Sequence, residues 1–286
     1  MTLLPGLAGL PPLKEVIAAR GLAARKSLGQ HFLLDPGITA RIASAAGNLA
    51  DRTVIEVGPG PGGLTRALLA AGASPLIAIE RDDRCIAALQ DVVAASDGRL
   101  RLVPADAIEA DERALVADAE GKPPALIVAN LPYNIATVLI LKWLERADLF
   151  ADIVVMVQKE VAQRLAAKPG ADAYGRLAVM VNWRAAVTPL FDLAPGAFTP
   201  PPKVTSTVVR ITPRATPLCD ADPSTLEAVV KAAFGQRRKM LRSALKSLGR
   251  DPLPPLEQAA IAPTARAEEL SIEEFCALAR AYAAKP

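Results

Sequence analysis

Along the first two thirds of the chain, short runs of aliphatic and β-branched residues recur, each closed by polar or glycine-rich sequence. They are TVIEVG at 53–58, PLIAIE at 75–80, RLVPAD at 101–106, ALIVANL at 125–131 and DIVVMVQ from 152 onward. Apolar residues at consecutive positions predict strands covered on both faces. The intervening stretches 64–71 and 84–95 read as helices, so the pattern predicts a mostly parallel sheet with helices on each side. Two later runs, LAVMVNW at 177–183 and STVVRIT at 206–212, are expected to add an antiparallel edge. The proline-rich segment between them, LAPGAFTPPPKV, is expected to be an extended loop.

From about residue 215 the periodicity becomes helical only. Helices are predicted over 223–248 and, after the connector DPLPP, over 271–283, where Ser271 with Glu273 and Glu274 makes a helix start. The chain therefore divides into an N-terminal arm and helix (1–24, the helix at 13–20), an α/β domain (25–214) and a small all-helical C-terminal domain (215–286). At 286 residues it is long enough for such a pair of cores.

Composition changes this picture little. Half the residues are hydrophobic, and acids and bases are spread throughout. Cys85, Cys219 and Cys276 are odd in number and far apart, which argues against a disulfide framework and against a zinc site, and favours a reducing cytoplasm. The apolar N-terminus lacks a basic leader, is broken by Pro5, Gly6, Pro11 and Pro12, and is too short to span a bilayer. No membrane association and no metal are expected.

The net charge of +3 decides nothing, but its distribution does more: residues 231–250 hold seven Lys or Arg and no acid. Basic runs are mostly solvated faces, and such a run needs a catalytic motif before it points to nucleic acid.

Candidate chemistry gathers at the predicted strand ends. Gly58, Gly60 and Gly63 in EVGPGPGG satisfy G-x-G-x-x-G, and Glu80 closes the next strand where a ribose-binding acid belongs. A nicotinamide dinucleotide is one reading. Pro59 and Pro61 count against it, because a pyrophosphate docks on backbone N–H groups that proline lacks. S-adenosylmethionine carries no phosphate and asks mainly for close backbone approach, which glycine permits. Asp106 is placed to accept from its adenine amino group, although a helix N-cap is the ordinary role of such an aspartate.

A further strand end, Asn130-Leu131-Pro132-Tyr133, resembles the motif of methyltransferases acting on exocyclic or amide nitrogen. The adenine N6 lone pair is delocalised into the ring. If the Asn130 side-chain oxygen and the Leu131 carbonyl accept its hydrogens, the nitrogen can pyramidalise and aim that lone pair at a sulfonium methyl. Pro132 would stiffen the turn and Tyr133 would stack on a base taken out of its helix. Phe198, in GAFTPPPKV, is the candidate for a second platform opposite Tyr133, against ordinary packing as the bland alternative.

Taken together, RKSLGQHFL (25–33), EVGPGPGGLT (56–65), Glu80, PADA (104–107), NLPYN (130–134), MVQKEV (156–161), FTPPPKVTS (198–206) and FGQRRKMLRSAL (234–245) resemble the ribosomal RNA adenine N6,N6-dimethyltransferases, the bacterial small-subunit branch above all. The resemblance implies a Rossmann-like S-adenosylmethionine-dependent methyltransferase fold. It also implies methylation of two adjacent adenosines in the 3'-terminal hairpin of 16S rRNA during small-subunit assembly.

On the same grounds Gln30, His31 and Leu33 would form a lid over the cofactor. Many members carry Asn in place of His31, so a backbone contact is implied there. Gly58 would approach the methionyl part, Glu80 the ribose and Asp106 the adenine, with Glu56, Gly60 and Asn130 completing the site. The catalytic set is Asn130, Leu131, Pro132, Tyr133 and Phe198.

Arg237, Arg238, Lys239, Arg242 and Lys246 then become the expected RNA contacts. Lys239, Arg242 and Lys246 share one side of the predicted helix, while Phe234, Leu241, Leu245 and Leu248 face inward. A monomer in the cytoplasm is expected. The competing readings are a 23S rRNA adenine N6-methyltransferase of the macrolide-resistance type, which shares the cofactor loop and the NLPY-type turn, and a non-catalytic assembly factor.

Overall fold

The computed structural model describes residues 4–25, 28–50, 52–236 and 238–284. The chain forms two compact units. One comprises the residues up to Ala162 together with Thr188–Pro213; the other comprises Gln163–Val187 and Arg214 onward.

The first unit opens with helices α1 (Pro5–Ala8) and α2 (Leu13–Ala19), the two-residue strand β1 (Phe32–Leu33) and α3 (Pro36–Ala45). It then alternates β2 (Val54–Val57), α4 (Gly63–Ala70), β3 (Leu76–Glu80), α5 (Asp83–Ala95), β4 (Leu100–Pro104), α6 (Glu112–Asp118), β5 (Ala125–Asn130), α7 (Ala136–Leu144) and β6 (Phe150–Gln158). Helix α8 (Lys159–Ala166) leads into the second unit and α9 (Arg176–Arg184) lies within it. The chain returns through β7 (Ala185–Leu193), β8 (Phe198–Thr199) and β9 (Ser206–Pro213). Each strand predicted between 53 and 157 is present to within about two residues.

Among the described residues seven strands form one sheet in the order β4-β3-β2-β5-β6-β9-β7. The pairings from β4 through to β6 are parallel, and β9 runs antiparallel to β6. Every residue of β2 and β3 is buried, as consecutive apolar residues require when helices cover both faces. The connections run outward from β2 to β4 and then return to β5 on the other side of β2. The carboxyl ends of β2 and β5 therefore flank the point where the strand order reverses, the place where open α/β sheets bind ligands.

The second unit continues with α10 (Pro223–Gly235), α11 (Leu241–Ala244), α12 (Leu253–Gln258) and α13 (Ile272–Ala283). Its core includes Tyr174, Trp183, Leu226, Val230, Leu241 and Phe275. Ser271 caps α13 in a reciprocal capping box with Glu274, as the sequence predicts.

Three expectations are corrected here. Residues 177–183 are helical, not an edge strand. Leu177, Ala178, Val179, Val181 and Trp183 are all buried, and a helix enclosed on most of its circumference shows no 3.6-residue stripe to distinguish it from a strand. The edge strand is β7 instead.

The predicted helix over 223–248 is two helices. After Gly235 the chain turns, and the Leu241 and Arg242 backbone N–H groups donate to Ala265 and Pro263 carbonyls rather than continuing the helical ladder. Finally, Cys219 and Cys276 are joined as a disulfide, with Cα atoms 6.4 Å apart; a separation of 57 residues and an odd cysteine count gave no hint of it.

Candidate functional site

The carboxyl ends of the central strands open into a cleft lined by the lid at 28–33, the glycine loop after β2, and the ends of β3, β4 and β5. It lies wholly within the first unit.

The glycine loop turns with Gly58, Gly60 and Gly62 all at positive φ, which favours glycine at each. The N–H groups of these three glycines are spent internally. Gly58 donates to the Ile79 carbonyl at 2.9 Å, Gly60 to Glu80 Oε2 at 3.0 Å and Gly62 to the Pro59 carbonyl at 3.0 Å. With Pro59 and Pro61 lacking N–H altogether, the loop from Gly58 to Gly62 offers no ring of donors for a pyrophosphate, which counts further against the nicotinamide dinucleotide reading.

Glu80, at the end of β3, is 6 % exposed and held by three backbone donors. Gly60 N–H reaches Oε2, while Arg81 and Asp82 N–H reach Oε1 at 2.8 and 2.9 Å. Burial raises its pKa, and the three donors oppose that shift. The carboxylate is fixed in direction, as a hydroxyl-accepting group needs to be.

Glu56 on β2 also lines the cleft, but its Oε2 is buried without a hydrogen-bond partner. Burial pushes this carboxyl up to about 8; the nearby Thr65 hydroxyl, which makes no hydrogen bond of full geometry, opposes the rise and the neighbouring Glu80 adds to it. An orphaned acidic oxygen beside glycines without Cβ fits a ligand carrying hydroxyl or ammonium donors. S-adenosylmethionine has both.

Asp106 lies in the turn after β4. Its Oδ1 accepts from the Ile108 N–H at 2.9 Å and its Oδ2 pairs with Arg81 Nη1 at 2.8 Å. It caps a turn and lines the cleft at once, so the ordinary and functional readings coincide.

The lid is tied down at several points. Gln30 Nε2 donates to Asp82 Oδ2 at 2.9 Å. Asp82 is in turn held by Arg84, whose hydrogen bonds are the main reason its pKa falls to about 2. Phe32 and Leu33 pair antiparallel with Thr199 and Phe198 of β8, joining the lid to the FTPPPKV segment. Leu33 lies so close to the glycine loop that a Cβ on Gly63 would meet its carbonyl oxygen at 2.5 Å.

The Asn130–Tyr133 turn is wedged between lid and loop. Asn130 Nδ2 donates to the His31 carbonyl at 3.0 Å, which leaves its Oδ1 as the acceptor available to a ligand. Pro132 packs against both neighbouring glycines, 3.6 Å from a Cβ built on Gly29 and 3.8 Å from one on Gly58. Leu131 is buried. The Tyr133 hydroxyl bonds Ser206 Oγ at 2.6 Å, and burial raises its pKa, so it remains a neutral phenol with a fixed ring.

The aromatic arrangement differs from the expected sandwich. Phe198 is 3 % exposed, packs in the sheet unit's core and is not part of the cleft lining. The ring beside Tyr133 is His31, with centroids 5.6 Å apart and planes at 28°, and Phe198 meets His31 edge-on at 6.5 Å. His31 Nδ1 lies 2.8 Å from the Pro200 carbonyl, which can only accept, so that nitrogen carries the proton.

Of the residues expected to bind cofactor or target, Gln30, His31, Leu33, Glu56, Gly58, Gly60, Glu80, Asp106 and Asn130 through Tyr133 all line this cleft. Sequence reasoning missed Arg81, Asp82 and Ser206, which act by holding those residues. Only position could have flagged the first two, directly after Glu80 at a strand end.

In the second unit Arg238, Lys239, Arg242 and Lys246 are exposed, while Leu241 and Leu245 are buried and Phe234 and Leu248 partly so. Arg237 lies outside the described residues.

The family model for ribosomal RNA adenine dimethylase matches residues 21–284. The chain belongs to the ribosomal RNA adenine dimethylase family. A protein of Paramagnetospirillum magneticum named ribosomal RNA small subunit methyltransferase A is 60 % identical over 280 residues, 98 % of this chain and 97 % of that protein. Among solved structures, a dimethyladenosine transferase from Plasmodium falciparum superposes with a TM-score of 0.74 at 27 % identity. That match covers 87 % of this chain and 96 % of the other. The 23S rRNA methyltransferase ErmE superposes with a TM-score of 0.64 at 26 % identity, covering 87 % of this chain and 98 % of its own.

Proposed function

We propose that this protein transfers methyl groups from S-adenosylmethionine to N6 of two adjacent adenosines in the 3'-terminal hairpin of 16S rRNA, within an assembling small subunit, giving N6,N6-dimethyladenosine. The observation that carries the reading is Asn130. It stands at the carboxyl end of the central strand β5, with its amide nitrogen committed to the His31 carbonyl and its oxygen left to accept.

Bound S-adenosylmethionine supplies the electrophilic sulfonium methyl. Glu80 accepts from the ribose hydroxyls, Asp106 from the adenine amino group, and Glu56, with Gly58 and Gly60, serves the remaining donors. Gln30, His31 and Leu33 cover the cleft. Asn130 Oδ1 and the Leu131 carbonyl accept the target N6 hydrogens, so the nitrogen lone pair turns out of the ring plane, and Pro132 stiffens the turn that presents that carbonyl. Rate comes from this positioning and these fixed dipoles. The alkylated nitrogen is acidic and loses its proton to water, so no strong base is required.

Tyr133 stacks on the target base. Phe198, expected at the opposite face of that base, is buried edge-on behind the His31 ring and backs it instead. Arg237, Arg238, Lys239, Arg242 and Lys246 supply phosphate contacts. Among the described residues no helix is long and apolar enough to cross a membrane. A ribosomal substrate would place the protein in the cytoplasm, where a pair such as Cys219–Cys276 is ordinarily kept reduced, and we read it as a monomer.

The likeness to ErmE supports a second reading, methylation of 23S rRNA. The two separate in one assay: labelled S-adenosylmethionine is offered with undermethylated small subunits or with protein-free 23S rRNA, and the labelled nucleoside is identified after digestion. N6,N6-dimethyladenosine arising only from small subunits is the expected result; label only in 23S rRNA would establish the rival. In the same assay Asn130→Ala should abolish transfer while keeping cofactor and subunit binding. Retained transfer would remove Asn130 from its assigned role, and subunit binding without transfer by the unaltered protein would favour an assembly factor.

A further inference from the structure

Outside the cleft, one cluster of buried charge has no part in the chemistry above. Lys142, on α7, is 20 % exposed at its side chain, and its ammonium donates to three acceptors: the Ala107 carbonyl at 2.8 Å, the Ala110 carbonyl at 2.5 Å and Glu112 Oε1 at 2.8 Å. Glu112 is 1 % exposed at its side chain, and its Oε1 also accepts from the Trp143 indole at 2.9 Å. An ammonium has three hydrogens, so the set uses Lys142 completely.

Two of the three acceptors are backbone carbonyls of one turn. That turn begins at Asp106, and Ala107 itself lines the cleft. Within the turn the Asp106 carbonyl accepts from the Glu109 and Ala110 N–H groups, and its carboxylate is held by Arg81 and the Ile108 N–H, while the Ala107 and Ala110 carbonyls are taken up by Lys142. Helix α7 follows directly on the Asn130–Tyr133 turn. Lys142 therefore fastens the segment bearing the proposed adenine acceptor to the helix that continues from the proposed methyl-transfer turn.

A structural ion pair would need only Glu112. The two carbonyl bonds are the feature such a role leaves unexplained, since they spend most of the ammonium's donors on the Asp106 turn. We propose that Lys142 is a positioning residue that sets the Asp106 turn for recognition of the cofactor's adenine. This inference rests on the reading of the cleft as the S-adenosylmethionine site.

The test compares Lys142→Met, Lys142→Arg and Glu112→Gln with the unaltered full chain, below the thermal midpoint of each. Binding of S-adenosylhomocysteine and of 5'-methylthioadenosine, which has the adenosyl part but no amino acid, is measured by calorimetry. Lys142→Met should weaken both ligands by the same factor, roughly tenfold for a turn displaced by a fraction of an ångström. Lys142→Arg, which keeps charge and donors, should recover part of the loss. Glu112→Gln should lower the thermal midpoint yet keep both affinities, because Lys142 still holds the two carbonyls.

A Lys142→Met variant that loses thermal stability and binds both ligands normally would overturn the inference. So would a loss confined to S-adenosylhomocysteine, which would place the defect away from the adenine. Failure of the unaltered protein to bind S-adenosylhomocysteine would overturn the cofactor reading and this inference with it.

Discussion

On the proposed reading, Glu56 is the residue at which folding and ligand binding make opposite demands. The fold places its carboxyl on an all-buried central strand with one oxygen unpartnered, and burial, reinforced by Glu80, raises its pKa from 4.5 to about 8. A folded-state pKa above the ordinary value means that the folded chain binds this proton more tightly. The stabilisation is complete below pH 4.5, declines as the pH rises, and is gone above about pH 8. Glu56→Gln, which cannot ionise, should therefore become progressively more stable than the unaltered protein between those limits. The gain scales as roughly 1.4 kcal/mol per unit of pKa rise, a few kcal/mol in all. Burial raises Glu80 as well, so the variant retains from that group a contribution of the same sign. Denaturant midpoints at pH 5 and pH 8.5 measure this; equal pH dependence in the two proteins would mean that Glu56 is not the titrating group.

At the scale of elements, the lid and the glycine loop are one packed unit, and Gly63 shows which effect governs it. Gly63 is the first residue of α4, where alanine is intrinsically better by about 1 kcal/mol. Its Cβ would stand 2.5 Å from the Leu33 carbonyl and 3.1 Å from Leu13 Cδ2, however, and relieving such an overlap costs about 1–3 kcal/mol. The overlap outweighs the propensity. Gly63→Ala should lower stability and, by displacing Leu33, weaken S-adenosylhomocysteine binding; a more stable variant with unchanged affinity would show that the lid does not rest on this contact.

Elements of this kind were legible in the sequence where burial leaves a simple record. The strands from β2 to β6 read as apolar runs, and their ends read as Gly58, Glu80, Asp106 and Asn130. Helix α9 was not legible, because burial around most of its surface erased its period. Nor was the break after Gly235, whose cause is hydrogen bonding to Pro263 and Ala265, far along the chain. His31 beside Tyr133, in the place expected for a base or for Phe198, depends likewise on the β1–β8 pairing that brings residues 31 and 200 together.

Over the whole molecule, the proposed reading places the two demands of an RNA methyltransferase on different units. All lining residues of the cleft belong to the sheet unit, whereas the acid-free basic segment belongs to the helical unit. Arg242 and Lys246 are exposed, and the segment's inward anchors are Leu241 and Leu245, each fully buried. Reversing the two charges therefore leaves the core untouched and, on the proposed reading, removes phosphate contacts alone. Each such contact contributes about 0.7 to 0.9 to the slope of log affinity against log salt. The double variant Arg242→Glu/Lys246→Glu should bind RNA more weakly, with a slope shallower by about 1.4 to 1.8, and bind S-adenosylhomocysteine as the unaltered protein does. Filter binding over a range of salt, with calorimetry for the cofactor product, measures both. An unchanged slope would mean that these cations face solvent rather than RNA, and equal loss of the two ligands would mean that the units do not divide the work.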